Sequence, residues 1–372
     1  GFRKAFDGAQ DFDFALRFTE ETEKIGHIQK VLYHWRERKE STAGDEDANP
    51  YVLEASRKCR EEALSRRGWK GHLEDIEGTH QMHLVYDVQD NPLVSIIIPS
   101  KDNPVVLRRC VESLNKLTSY KNYEIIVVDN GSEFPNMMRY KALADADHFQ
   151  YIYQPENFNF SHMCNTGATA AKGDYYLFLN DDTEIIQEDW LERMLGQAQL
   201  PHVGAVGAKL YYPNTTLIQH AGVVNLKSGP SHCFSHMDDN TIYYFWRNRT
   251  EYDLLAVTAA CLLVSKDKFE EIGRYNETLP IAYNDVDLCF KLVEKGYYNV
   301  IRNDVKLYHH ESLSRGNDLM DPAKLKRLNH ENHYLFELHP QFKSCDPFYS
   351  PHLIQNGVEF TNNYDEGSHY TV

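Results

Sequence analysis

Two short acidic motifs contain the residue types needed to hold a divalent cation or to take up a proton. The first, Asn180-Asp181-Asp182, closes an apolar run that begins at Tyr175. Adjacent carboxylates at the end of a buried strand are costly unless a cationic partner meets them. Mg²⁺ and Mn²⁺ prefer such oxygen ligands and leave positions open for substrate phosphates. A turn, or an N-cap for the helix expected near Glu188, would explain the same residues, so both interpretations stay open for this motif alone.

The second motif, Asn284-Asp285-Val286-Asp287, opens a helix that is predicted to run to Lys295. We expect Asn284 to be the N-cap, and carboxylates in a first turn favour the helix dipole. This arrangement explains Asp287 at least as well as a catalytic role does. Asp285 is expected at the first helical position and facing the crevice, where a carboxylate could act as a general base.

A pair of imidazoles and a guanidinium follow another apolar run, Val305 to Tyr308. His309, His310 and Glu311 come directly after this run. A histidine in such a place is more often a structural residue than a ligand. Arg315 stands a few residues further on and carries a guanidinium suited to phosphate.

The elements that would position these residues alternate between buried strands and helices. Strands are predicted over residues 93–99, 123–131, 150–153, 175–180 and 254–264, and helices over 105–117, 160–171, 266–272 and 285–295. The pattern indicates an α/β fold with a mostly parallel sheet covered by helices on both faces. Ligands in such sheets lie beyond the carboxyl ends of the strands. Those ends carry polar residues at 99–102, 129–131 and 180–182.

Composition argues against several classes of function. The net charge is −16, with 55 acidic residues against 39 basic ones, whereas nucleic acids and anionic membranes require clustered Lys and Arg. The sequence contains neither a G-x-G-x-x-G nor a P-loop motif, so dinucleotide and P-loop chemistry are not indicated. Its seven scattered cysteines never form C-x-x-C, which is typical of a reduced, cytoplasmic protein. No apolar run approaches the ~20 residues of a membrane span.

An internal repeat marks the N-terminal segment. Residues 10–13 and 32–34 match residues 284–287 and 307–309, and the spacing from Asp to His is 23 residues in the first copy and 24 in the second. Chance identity over a few residues is the alternative. We interpret residues 1–45 as the tail of an upstream copy, forming a small, mainly helical appendage. Residues 46–91, which are charged and helix-prone from Pro50 to Arg67, are then a helical connector. Residues 92–345 are the main domain and residues 346–372 a C-terminal tail.

Taken in order, the motifs resemble those of family 2 glycosyltransferases, which are GT-A-fold enzymes of bacterial surface-polysaccharide assembly. The resemblance covers about residues 92–340. It rests on residues 96–102, 127–132, 157–161 with Asn165, 177–183, 203–207, 284–288 and 309–316. This ordered set is far more specific than any one motif. The resemblance also implies that the N-terminal repeat is the tail of a preceding transferase domain, as in tandem enzymes.

The resemblance implies a donor site at the strand ends. Four residues would line the nucleotide-sugar pocket: Pro99, Ser100, Asp102 and Asn157. Asp129 would bond the pyrimidine edge, and Asp181 would lie near the ribose and the donor sugar. Arg315 would close over the diphosphate.

The metal and the reacting groups are implied in the same way. Asp182 would bind Mn²⁺ or Mg²⁺, and His309 would complete its ligand shell. His309 is preferred to His310 because His34 matches it in the repeat. The family often has Asp where this chain has Asn180, a departure that would lower the affinity for the metal.

The acidic helix start would hold the acceptor and the base. The resemblance implies that Asp285 is the catalytic base and that Asp287 binds the acceptor. With Asp182 and His309, these residues would complete the reacting centre.

The implied function is inverting, metal-dependent transfer of a sugar from a UDP- or dTDP-linked donor to a glycan or lipid-linked glycan acceptor. The product would be an O-antigen, a capsule or a rhamnose-rich polymer, made in the cytoplasm. A peripheral contact with the inner face of the membrane or with an assembly complex stays open. One alternative is a catalytically silent transferase-like scaffold of a larger polysaccharide-assembly protein. Another is a nucleotidyltransferase, but residues 99–103 do not form the Gly-rich basic loop that it would usually need.

Overall fold

The computed structural model describes residues 1–22, 24–26, 28, 30, 32–33, 50–310 and 322–361. The chain divides into two compact units, residues 1–87 (unit 1) and residues 88–372 (unit 2). His34 and Arg315, which the sequence analysis singles out, lie outside the described residues. Among the described residues no helix is both long enough and apolar enough to cross a membrane.

Unit 1 contains a helical pair followed by a β-hairpin. Helix α1 (Gln10–Thr19) packs on α2 (Pro50–Arg67), and β1 (Gly71–Asp75) pairs antiparallel with β2 (Met82–Tyr86). The predicted appendage and connector therefore form one unit, because Phe6 and Ala9 share a buried cluster with Ala55 and Cys59. The helix-prone stretch of the predicted connector, from Pro50 to Arg67, forms α2, and the hairpin of β1 and β2 follows it.

Unit 2 is built around a large mixed sheet. Its strands are β3 (Val94–Ser100), β4 (Tyr123–Asp129), β5 (Gln150–Tyr153), β6 (Tyr175–Leu179), β7 (Thr183–Ile185), β8 (Val203–Tyr211), β9 (Ile218–His220), β12 (Tyr252–Leu254), β13 (Cys261–Ser265) and β14 (Tyr298–His309). Strands β10 (Val223–Leu226) and β11 (Gly229–His232) form a separate hairpin. The helices are α3 (Pro104–Leu117), α4 (Phe134–Asp147), α5 (Phe160–Ala170), α6 (Trp190–Ala198), α7 (Lys266–Glu271), α8 (Asn284–Glu294) and α9 (Pro322–Leu338).

The strand order is β12-β14-β8-β13-β6-β3-β4-β5, with β7 on β14 and β9 on β8. The half that contains β6, β3, β4 and β5 is parallel throughout. Strand β13 runs antiparallel to both β6 and β8 and joins this half to the other, in which β8 and β14 are parallel. The predicted α/β fold class is confirmed. The carboxyl ends of β3, β4 and β6 meet at one edge of the sheet.

The apolar stretch 254–264 forms two strands rather than the predicted single strand. Strand β12 ends at Leu254 and β13 begins at Cys261, with a connecting segment between them. Leu255, Ala256 and Val257 in this segment are fully buried. The segment between β12 and β13 is apolar because it is buried, but a buried apolar segment need not form a strand.

The predicted C-terminal tail is part of the domain as far as the structure describes it. Tyr349, Leu353 and Phe360 are buried in the same apolar core as Leu262 and Leu288. Phe360 also stacks on Phe234 with ring centroids 5.2 Å apart. These three buried side chains anchor residues 346–361 to the core of unit 2.

Helix α5 lies unusually close to the parallel half of the sheet. A Cβ atom added to Gly167 would lie 2.4 Å from Ile97 Cγ2, a distance that real side chains do not adopt. Gly167 and Ile97 are both buried. The absence of a side chain at residue 167 thus sets the distance between α5 and β3.

We expect Gly167→Ala to lower the free energy of unfolding by about 1–3 kcal/mol, as overpacking of a core does. Thr166→Ala, one residue earlier in α5 and only half-buried, should change it by less than about 0.5 kcal/mol. Urea unfolding of both variants measures the difference. Equal stability of the two variants would contradict the close approach of α5 to β3.

Candidate active site

The carboxyl ends of β3 and β6 are joined by a hydrogen-bonded cluster. Ser100 Oγ donates to Asp181 Oδ2 and lies 2.7 Å from the hydroxyl of Tyr140, which also accepts from the backbone N–H of Asn103. Burial raises the pKa of Asp181 to about 7, with the charge of Asp182 adding to the effect and the Ser100 hydrogen bond opposing it. Two of the predicted donor-site residues, Ser100 and Asp181, are therefore in direct contact.

Asp182 and His309 meet because β7 pairs with the end of β14. Thr183 is the register partner of His309 in this antiparallel pair. As a result, His309 Nε2 lies 3.0 Å from Asp182 Oδ1. Asp182 Oδ1 is buried and has no hydrogen-bond partner among the described residues.

The tautomer of His309 is fixed from its other side. His309 Nδ1 lies 2.6 Å from Gln219 Oε1, so Nδ1 carries the hydrogen and donates it to the amide oxygen. His309 Nε2 faces the Asp182 carboxylate and lies 3.2 Å from the side-chain amide nitrogen of Asn180. Two ligand atoms each ~2.1 Å from one ion at a right angle would lie about 3 Å apart, so this pair fits a divalent cation.

The neighbouring histidine is engaged elsewhere. His310 Nε2 lies 2.8 Å from Glu184 Oε2, and its Nδ1 lies 3.0 Å from Arg109 Nη1. Both ring nitrogens of His310 are thus in contact with charged side chains outside the Asp182 cluster. The structure brings His309 beside Asp182 and directs His310 away from it.

The Asp129 carboxylate is engaged inside the protein, and its contact with the pyrimidine edge stays a prediction. It is fully buried. Its Oδ1 accepts from the backbone N–H of Ser132 at 2.9 Å and from the Ser132 hydroxyl at 2.6 Å, while Oδ2 accepts from the Tyr151 hydroxyl.

The next residue, Asn130, has an Oδ1 atom without a hydrogen-bond partner among the described residues. The sequence analysis missed Asn130, whose only signal is its place one residue beyond β4.

The other predicted donor residues occupy three different settings. Pro99 is buried in β3 opposite Val128. Asp102 has φ +53° and its Oδ1 accepts from the backbone N–H of Glu133 and from Asn136 Nδ2, so it ties the end of β3 to α4. Asn157 is exposed and lines an open groove of about 790 Å³.

Asp285 stands at the start of α8, but Asn284 is not its N-cap, contrary to the prediction. Tyr283 precedes the helix with φ +58°, and Asn284 is already helical. Asp285 Oδ1 accepts from the backbone N–H of Val286 at 2.9 Å, and Oδ2 accepts from that of Ala259 at 3.0 Å. The half-buried carboxylate is therefore held in one orientation while each oxygen retains acceptor capacity.

Asp287 has a buried, ion-paired setting, and its role in acceptor binding stays a prediction. It is only 1% exposed and lies 2.9 Å from Lys291 Nζ and 3.0 Å from His339 Nε2. Burial opposes its ionisation, but the contacts with His339 and Lys291 outweigh burial and lower its pKa. Asp287 fastens α8 to the residue that follows α9.

The N-terminal repeat shows the same division between its two acids. Asp11 Oδ1 accepts from the backbone N–H of Phe12, as Asp285 does from Val286. Asp13 is 1% exposed and pairs with Arg17 four residues on and with Arg3. The second acid is buried and ion-paired in both copies, which supports a structural role for it.

One family model and two long relatives are among the known proteins that match this chain. Residues 95–273 match the model of glycosyl transferase family 2. The uncharacterized protein y4gI of Sinorhizobium fredii is 39% identical over 367 residues, 96% of this chain and 40% of that protein. The O-antigen biosynthesis protein RfbC of Myxococcus xanthus is 34% identical over 361 residues, 96% of this chain and 28% of that protein. The chain thus spans less than half the length of either relative.

A solved structure supports the fold. The crystal structure of GalNAc-T7 with UDP, GalNAc and Mn²⁺ aligns with a TM-score of 0.54 at 14% identity, over 74% of this chain and 55% of that one. At this identity the likeness concerns the fold alone, since one fold hosts many functions.

His339 should make the stability of unit 2 depend on pH. Burial opposes its protonation, but hydrogen bonds with Asp287 and Glu294 outweigh burial and raise its pKa above the usual 6.5. The stabilisation is therefore complete below about pH 6.5 and is lost as the pH rises through the higher folded-state value.

We expect the free energy of unfolding to fall more from pH 6 to pH 8 in the wild type than in His339→Gln, where no imidazolium forms. Urea unfolding at several pH values measures both slopes. Parallel slopes would show that His339 is not protonated in the folded protein.

Proposed function

This chain belongs to glycosyl transferase family 2 through residues 95–273, and from that premise we propose that it transfers a sugar from a nucleoside diphosphate donor to an acceptor hydroxyl with inversion. The observation that carries the proposal is the joining of the Asp182 cluster to Asp285 by two consecutive residues. The backbone N–H of Ala259 donates to Asp285 Oδ2, and the carbonyl of Ala260 accepts from the backbone N–H of Asn180 at 3.1 Å. The acidic strand end and the candidate base are therefore tied to the same short backbone segment.

Asp182 and His309 would hold a Mn²⁺ or Mg²⁺ ion. Such an ion supplies positive charge against the diphosphate, which lowers the cost of the charge that develops as the diphosphate departs. Gln219 keeps the Nε2 lone pair of His309 available for it. The GalNAc-T7 crystals held UDP and Mn²⁺ in a related fold, which is consistent with this proposal. Arg315, which lies outside the described residues, stays a predicted contact of the diphosphate.

Asp285 would act as the general base. Its carboxylate accepts the proton of the acceptor hydroxyl while that oxygen forms a bond to the anomeric carbon. The bond from the anomeric carbon to the diphosphate oxygen breaks on the opposite side, and the electron pair leaves with the nucleoside diphosphate. One displacement of this kind inverts the anomeric centre without a covalent enzyme intermediate. The two backbone donors from Val286 and Ala259 keep the carboxylate oriented for this step.

The donor would carry uracil or thymine. Asn130, whose Oδ1 atom has no hydrogen-bond partner among the described residues, would take the role predicted for Asp129. An amide oxygen accepts from the N3–H group that both bases present. A UDP-sugar and a dTDP-sugar therefore both fit, and hexosyl and rhamnosyl transfer are both compatible with this contact.

We place the reaction in bacterial cell-surface polysaccharide synthesis, with a glycan or lipid-linked glycan as acceptor. The relative from Myxococcus xanthus is named for O-antigen biosynthesis, and capsule or rhamnose-rich polymers involve the same chemistry. The reaction would take place on the cytoplasmic side of the membrane. A catalytically silent scaffold is less well supported, because Asp182, His309 and Asp285 are all present and oriented.

Unit 1 is proposed to be the counterpart of a transferase tail without a reaction centre of its own. Its motif carries Asp11 and Asp13 at the positions of Asp285 and Asp287. The strands described in this unit, β1 and β2, form an antiparallel hairpin rather than a parallel sheet with acidic carboxyl ends.

Substitution of the two acids of α8 should affect different properties, transfer for Asp285 and stability for Asp287. Asp285→Asn keeps the size and the fold but removes the base, so transfer should fall by about 10²–10⁴-fold with an unchanged melting temperature. Asp287→Asn should instead lower the free energy of unfolding by about 1.5–3 kcal/mol, because a charged hydrogen bond to His339 and an ion pair with Lys291 are lost. Product formation and thermal melting on both variants provide the measurement. Near-normal transfer by Asp285→Asn would place the base elsewhere.

The metal assignment has its own test. Mn²⁺ and UDP at 100 times their dissociation constant should stabilise the wild type by about 2.7 kcal/mol. Asp182→Ala should abolish the Mn²⁺-dependent part, whereas His310→Gln should retain it because His310 faces Glu184 and Arg109. Thermal shift with and without Mn²⁺ distinguishes them. Equal losses in the two variants would contradict the placement of His310 outside the metal site.

A further inference from the structure

The short strand β9 connects both halves of the candidate centre. It pairs antiparallel with β8 and consists of Ile218, Gln219 and His220. Gln219 and His220 are polar yet only 6% and 1% exposed. Consecutive side chains of a strand point to opposite faces, and these two make contacts in different parts of the crevice.

Gln219 contacts the metal side of the centre. Its Oε1 accepts from His309 Nδ1 at 2.6 Å, and its Nε2 lies 3.4 Å from the carbonyl oxygen of His309. Two contacts to one residue fix both the ring orientation and the nitrogen that carries the hydrogen. Partners of this kind orient metal-binding histidines in general.

His220 contacts the segment that supports Asp285. Its Nε2 lies 3.2 Å from the backbone nitrogen of Gly222 and 3.4 Å from that of Thr258, so this nitrogen is the acceptor. Its Nδ1 lies 2.9 Å from His232 Nδ1 and carries the hydrogen of that contact. Burial lowers the pKa of His220 well below its ordinary range, which keeps the ring neutral.

Thr258 and Ala259 are consecutive, and this transmits the position of His220 to the carboxylate. The backbone N–H of Thr258 points to His220, and that of Ala259 donates to Asp285 Oδ2 at 3.0 Å. A shift of the peptide that joins them moves both contacts at once. His220 thus bears on the orientation of Asp285 without touching it.

We propose that β9 is the positioning element of the centre: Gln219 presents His309 to the cation, and His220 holds the Thr258–Ala259 peptide against Asp285. The proposal rests on the proposed function for the roles of His309 and Asp285. It assigns Gln219 and His220 as positioning residues that touch neither the donor nor the acceptor. One short strand would then position both the metal side and the base side of the centre.

Gln219 is tested by Gln219→Leu and Gln219→Glu. The Glu variant keeps an acceptor for His309 Nδ1, whereas the Leu variant removes it at similar size. Nitrogen NMR of the histidine rings in the metal-free protein should show His309 protonated at Nδ1 in the wild type and in Gln219→Glu, and a mixture of tautomers in Gln219→Leu. Calorimetric titration with Mn²⁺ alone should give about 10–100-fold weaker binding for Gln219→Leu.

His220 is tested by His220→Gln and His220→Asn. The Gln amide oxygen can replace Nε2 as the acceptor, whereas the shorter Asn cannot reach the Thr258 amide. Hydrogen exchange at the amides of Thr258 and Ala259 should be faster in His220→Asn than in His220→Gln. The kcat of His220→Asn should fall by up to about 100-fold, as for a misplaced reacting group, with unchanged donor KM and Mn²⁺ affinity.

A matched control separates positioning from stability. Leu226→Ala removes a buried side chain from the neighbouring β10 and should lower the melting temperature while retaining the tautomer, the amide exchange and kcat. The proposal is overturned if Gln219→Leu keeps the His309 tautomer, or if both His220 variants match the Leu226→Ala control. If the wild type shows no transfer at all, the proposed function fails, while the NMR and exchange measurements still decide the positioning role.

Discussion

The 3.0 Å contact between His309 Nε2 and Asp182 Oδ1 is the constraint around which the centre is arranged. A carboxylate at this distance from an imidazole nitrogen and away from water needs positive charge beside it, from a protonated ring or from a bound cation. The pairing of β7 with β14 imposes the contact, and Gln219 fixes the ring from its Nδ1 side. The backbone thus holds a nitrogen and a carboxylate oxygen at a separation that fits a divalent ion.

The two acids at the start of α8 differ in burial and in their partners. Both acids of the motif stand in the first turn, where the helix dipole favours negative charge. Asp287 is taken up by His339 and Lys291, contacts that fix α8 in the domain. Among the described residues, Asp285 accepts hydrogen bonds from the backbone N–H groups of Val286 and Ala259, which hold its carboxylate in one orientation. A fixed orientation of this kind is what the proposed base role requires.

Local pattern was sufficient to predict the elements that carry the site, but not the partners of their side chains. Continuous apolar runs predict buried strands such as β3 and β6, and apolar residues at helical spacing predict the helix α8. The pairs that decide function are far apart in sequence: Asp129 with Tyr151 by 22 residues, Asp287 with His339 by 52, and His309 with Gln219 by 90. No periodicity carries such information. The capping error at Asn284 had a related cause, because Tyr283 adopts a left-handed conformation that its residue type does not suggest.

The ion-paired Asp13 of α1 shows a difficulty in counting catalytic centres from sequence motifs. A scan for the acidic helix motif and its downstream histidine would count two transferase centres in this chain, since both copies satisfy it. In the first copy the second acid serves Arg3 and Arg17, and the described strands of unit 1 supply no acidic sheet edge. The second acid of the motif therefore marks a tightly packed helix start in both copies, and a count of such motifs measures packed helix starts rather than the number of reaction centres.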